Sequence, residues 1–135
     1  MSRLRTCLGL VLSALTACGP GMVPATVPST QPVCLRLTYH RPKRLPDQPK
    51  ELRLSPGVQH GYVDWPVNAP PAHVGEWTHD GGSWLWMVLP MGSTSLRYVL
   101  VTTGSTVRGQ VTSDASSRAE LPGVADVTGR LRACR

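Results

Sequence analysis

Proline and glycine interrupt this chain too often for it to build long helices. Thirteen of each are spread through 135 residues, and the stretches they leave are short and alternate. Val33 to Tyr39 (VCLRLTY) puts Val33, Leu35, Leu37 and Tyr39 on one face, with Cys34, Arg36 and Thr38 on the other. A period of two with one wet face predicts a strand. Further strands are expected at Glu51–Leu54, Gln59–Val63, Ser95–Thr102, Thr106–Thr112 and Val127–Cys134. In the last, Arg130, Arg132 and Cys134 face outward. Ser55-Pro56-Gly57 and Gly104-Ser105 supply turns. Segment 113–126 has room for one helical turn before Pro122. Many short strands with regular turns predict an all-β fold, a small sandwich or barrel of antiparallel strands.

The N-terminus is a separate matter. Arg3 and Arg5 precede a short apolar run, Leu8 to Leu15. A membrane-spanning helix needs about 20 such residues, so the pattern reads as a secretory signal. Leu15-Thr16-Ala17-Cys18 then resembles the lipobox of bacterial lipoproteins: an aliphatic residue, two small ones and a cysteine. The resemblance covers only about the first 20 residues. It implies a signal peptide over 1–17, cleavage after Ala17 and a lipid (diacylglyceryl and usually a further acyl chain, such as palmitate) on Cys18. Two or three acyl chains anchor a protein stably, each buried CH₂ contributing about 0.8 kcal/mol. Gly19, where aspartate would signal inner-membrane retention, leans toward an outer membrane facing the periplasm in a diderm cell. Otherwise the expected place is the outer face of the cytoplasmic membrane.

With Cys7 removed and Cys18 acylated, Cys34 and Cys134 remain in an oxidising compartment. One intramolecular disulfide is then expected, closing a domain over 33–135. Two free thiols or an intermolecular bridge are the alternatives. Residues 18–32 carry the acylated cysteine and a tether, with proline at 20, 24, 28 and 32. A polyproline chain of that length reaches up to about 40 Å. Loss of Arg3 and Arg5 lowers the formal charge from +6 to +4, all 8 acids lying after Cys18.

The cysteines pose a problem of register. If Cys34 and Cys134 face each other on antiparallel strands, Arg36 faces Arg132, and like charges so placed repel. Either the strands are not direct neighbours, or that face binds something anionic.

The candidate chemistry is sparse. His73, Glu76, His79 and Asp80 are metal-ligand types, but their glycine-flanked spacing fits a hairpin, and no metal or cofactor is expected. No serine lies in Gly-x-Ser-x-Gly, and the scattered carboxylates define no hydrolase pair. Trp65, Trp77, Trp84 and Trp86 fall within 22 residues. They suit either an aromatic binding face or a core that has no Phe. Asp80-Gly81 as a two-residue hairpin turn would set Trp77 opposite Trp84 and three indoles on one face. Admitting Gly82 to the loop would set Trp77 opposite Leu85. Arg41, Lys43, Arg44 and Lys50 form a basic patch soon after the tether, suited equally to an anionic membrane surface, where each contributes about 1 kcal/mol, to glycan phosphates or to an acidic protein.

These features lead to a lipid-anchored cell-envelope protein serving as a non-catalytic binding or assembly module. Its expected contacts are the membrane through its anchor and an envelope protein or cell-wall glycan, not nucleic acid. A small envelope enzyme acting on cell-wall glycan or peptide, and a lipoprotein inhibitor of a hydrolase, are the alternatives.

Overall fold

In the computed structural model, which describes residues 24–67, 72–114 and 121–134, eight antiparallel strands close into a barrel in sequence order. They are β1 (Val33–Lys43), β2 (Glu51–Leu54), β3 (His60–Trp65), β4 (Ala72–His79), β5 (Trp84–Met91), β6 (Thr94–Thr103), β7 (Thr106–Ser113) and β8 (Gly123–Ala133). Sequential hairpins make seven of the seams, and β8 returns to pair with β1. Closure removes the free edges that would otherwise template aggregation. The expected alternation holds in β1, where Leu35 and Leu37 point inward and Arg36 and Thr38 outward. The Gly104-Ser105 turn joins Thr103 to its partner Thr106, and Gly104 supplies the positive φ of 62° that the turn requires. β8 starts at Gly123, so the end of segment 113–126 is strand. Residues 115–120 lie outside the described residues, as do the lipobox and Cys18.

An eight-stranded barrel is just wide enough for side chains to fill it. Leucines from β1, β2, β5, β6 and β8 do so, with Trp77 and Tyr98 as the largest buried residues. These two supply the bulk that the missing Phe residues would have given. Coiling so few strands this tightly brings backbones close. A Cβ on inward-facing Gly109 would collide with the Val99 carbonyl oxygen, and one on Gly129 with that of Arg36. Inside the lumen, the Tyr39 hydroxyl donates to the Pro49 carbonyl at 2.6 Å. It accepts from Tyr98, 2.7 Å away. Burial pushes the Tyr39 hydroxyl up to about 12 and raises that of Tyr98 further, chiefly by desolvation.

The β4–β5 hairpin takes neither of the registers expected from its sequence. Trp77 pairs with Met87, Thr78 with Trp86 and His79 with Leu85. Asp80 explains the longer loop. Its carboxylate accepts from the backbone N–H of Gly82 at 2.8 Å and of Trp84 at 3.1 Å. The Gly82 hydrogen bond above all holds the carboxyl below its ordinary value. Asp80 therefore caps the loop from its flank instead of sitting at its tip. The longer loop turns Trp77 into the lumen and Trp84 and Trp86 out of it.

The barrel has two distinct ends. One end carries the 55–59, 80–83 and 104–105 connections and Cys134; the other carries the 44–50 and 92–93 connections. Residues 24–32, expected as part of a tether, lie across the first end. Ala25 N–H donates to the Leu131 carbonyl at 3.3 Å, and Gly57 N–H to that of Ser29 at 3.1 Å. Between them Val27 enters the core at 8% exposure. This strap plugs the barrel mouth with an apolar side chain, and Pro24 bridges to Arg132.

The sulfur atoms of Cys34 and Cys134 lie at disulfide distance, across Cα atoms 5.1 Å apart. Their strands are direct antiparallel neighbours, but Cys34 faces Arg132 and the link to Cys134 is diagonal. Arg36 consequently faces Arg130.

Candidate anion-binding face

The outward positions of β6, β7, β8 and β1 form a cationic surface. One cross-strand row runs Val101, Arg108, Thr128, Thr38. The next, nearer the strapped end, runs Thr103, Thr106, Arg130, Arg36. Because outward side chains repeat every second residue, Arg132 adds itself beside Arg130. Together these residues line a concavity of about 740 Å³.

Four guanidinium groups thus meet on adjoining strands with threonine hydroxyls between them. Arg132 is half-buried and ion-paired with Glu51 on β2. Its Nε is buried and has no hydrogen-bond partner among the described residues. Arg36, Arg108 and Arg130 are exposed. Among the described residues, none of these three has an ion-pair partner. Arg36 stands opposite Glu51 on β2 and opposite Arg130 on β8, and the Arg36–Arg130 pair repels as like charges across a strand pair do. An anion between them reverses the sign. Guanidinium forks bind carboxylate or phosphate oxygens in pairs, with charge-assisted bonds about twice as strong as neutral ones. The concavity is lined by guanidinium groups and threonine hydroxyls, donors that suit holding an anion.

The structure distributes the other sequence candidates widely. Trp77 is 1% exposed and belongs to the core, and Trp65 is half-buried against it. Trp84 and Trp86 stand on the outer face of β5 at 43% and 36% exposure. Their rings stack on each other, centroids 6.2 Å apart and planes within 17°. The four tryptophans therefore do not share a face.

Arg41, Lys43 and Arg44 sit at the end opposite the strap, roughly 26–36 Å of chain from Val33 at a strand rise of ~3.3 Å per residue. Arg41 is ion-paired with Asp126 at 2.8 Å, and Arg44 Nε donates to the Pro122 carbonyl at 3.2 Å. Lys50 is exposed where the chain enters β2. Of the metal-ligand types, His79 is buried in the lumen and its Nδ1 accepts from Gly81 N–H. His73 is paired to Asp64 and stacks on Tyr62. No group of three metal-ligating side chains forms among the described residues.

Arg108 and Arg130 escaped the sequence as binding residues. Alternation marked Arg130 as outward, but only the register of the β7–β8 and β8–β1 seams brings the two beside Arg36. No family model matches the chain, and no curated protein or solved structure matches it.

Proposed function

We infer that this protein is a lipid-anchored binding module of the cell envelope, holding an acidic envelope component in the arginine-lined concavity. One observation carries the reading. Arg36, Arg108 and Arg130 line one concavity with no ion-pair partner among the described residues, and an anionic ligand relieves the repulsion between Arg36 and Arg130. The four threonines add neutral polar contacts, so the ligand presents several oxygen atoms. Anchoring rests on the lipobox-like Leu15-Thr16-Ala17-Cys18 and its basic and apolar lead-in.

Two results are expected. Pyrophosphate at ten times its Kd, at matched ionic strength, raises the Tm by about 5 °C, because a ligand binding only the folded state stabilises it by mass action. Scanning calorimetry of an Arg108→Gln, Arg130→Gln double variant should show no such rise. An equal rise in both proteins places the anion elsewhere. In cells, a Cys18→Ser variant should move from the membrane to the soluble fraction. Undiminished sedimentation with membranes after a carbonate wash would mean that another feature holds the protein there.

A further inference from the structure

The strap fixes where an anchor at Cys18 would emerge. Pro24 bridges to Arg132, a residue of the concavity. Six residue steps separate Pro24 from Cys18, and no conformation of six steps spans more than about 20 Å. Acyl chains on Cys18 therefore hold the arginine concavity close to the bilayer surface. The polyproline tether expected from residues 19–32 would have lifted the domain about twice as far, but residues 24–32 are spent on closing the barrel.

The strapped end also carries exposed aromatics, since Trp84 follows the 80–83 connection there. Trp84 pairs with Val101, which pairs with Arg108, so the indole pair lies two strands, about 10 Å, from Arg108, and further round the barrel from Arg130 on β8 and Arg36 on β1. Trp86 pairs with Val99, which is also exposed. The two indoles lie nearly parallel with centroids 6.2 Å apart, and both stay partly exposed. Tryptophan is favoured at the headgroup layer, which accommodates both its apolar ring and its polar N–H.

We propose that the barrel docks on the anionic membrane that anchors it, with phospholipid headgroup phosphates entering the Arg36–Arg108–Arg130 concavity and Trp84 and Trp86 at the headgroup layer. This rests on the anchored reading of Cys18 given above. The acidic component is then the lipid itself, and the end bearing Arg41, Lys43 and Arg44 points away from the membrane.

Residue-resolved arginine footprinting tests it. The full-length protein, purified with its native N-terminus, is reconstituted in phosphatidylcholine vesicles with or without 30% phosphatidylglycerol and treated with phenylglyoxal. Modification of Arg36, Arg108 and Arg130 should slow at least fivefold in the anionic vesicles, and 0.5 M NaCl should restore it. Arg41 and Arg44 should react equally in both. Equal rates at all five arginines in the two vesicles, or equal protection at Arg41 and Arg44, would overturn the docking. Protection by soluble glycerol phosphate, with none from phosphatidylglycerol, would assign the face to a soluble ligand and also overturn it. The N-terminal peptide in the same digest reports acylation. An acylated Cys18 with unprotected arginines sinks the docking alone, whereas an unmodified Cys18 removes the anchor on which the docking rests.

Discussion

A Cys34→Ser, Cys134→Ser variant is expected to unfold with about 4 kcal/mol less free energy than the parent, by urea titration followed in circular dichroism. The link spans a sequence separation of 100, and in the chain-entropy model a loop of that length is worth about 4.7 kcal/mol, with measured values often lower. Its position raises its importance. Every other seam joins strands adjacent in sequence, whose short connections hold them together at little entropic cost. The β1–β8 seam joins the two ends of the domain, and Arg36 and Arg130 repel across it. The disulfide offsets both penalties where the barrel must close. A loss below 1 kcal/mol would mean that strand pairing alone closes the barrel. Neutralising the repulsion should recover part of the loss, so adding Arg130→Gln to the cysteine-free protein should raise its stability.

The strands were legible because their alternation is local. VCLRLTY contains within seven residues everything needed to say which side chains face inward. Closure into a barrel instead of two stacked sheets was not legible, since the β1–β8 pairing joins residues about a hundred positions apart. The hairpin register failed for a nearby reason. Asp80-Gly81 reads as a tight turn, but the Asp80 carboxylate captures two backbone N–H groups of the following residues and lengthens the loop. Because side chains alternate with a period of two, that shift decides which indoles are core and which are surface.

The basic residues show the same limit at longer range. Arg41, Lys43 and Arg44 follow the N-terminal segment closely in sequence, yet β1 carries them to the far end of the barrel. The arginines beside Pro24 come from the last strands of the chain. Nearness to an anchor along the sequence is a poor guide once a strand has crossed the domain. The proline-rich segment misleads for a related reason. Its prolines favour an extended chain, but Val27 among them finds the open mouth of the barrel, and burying that side chain removes half of the expected spacer.

The β4–β5 register makes the sharpest prediction about the four tryptophans. Trp77→Ala should cost about 3–5 kcal/mol, the range for removing a large aromatic from a core, whereas Trp84→Ala or Trp86→Ala should each cost under about 1 kcal/mol. Trp77 is enclosed on all sides, and its indole Nε1 donates to the Ser55 carbonyl at 3.2 Å. Gly61, where a Cβ would strike that indole, has no side chain to move into the space. Truncation therefore leaves a cavity and removes the partner of a backbone carbonyl. Trp84 and Trp86 lose only each other and some contact with Val99 and Val101. The three values are measured by urea denaturation of the single variants, followed by circular dichroism because the fluorophores themselves are changed. Had the two-residue turn formed, Trp77 and Trp84 would share a face and their truncations would cost alike. A Trp84→Ala loss as large as that of Trp77→Ala would therefore restore the shorter loop and take the indoles off the outer surface. A wide gap between them leaves Trp84 and Trp86 free to meet a membrane.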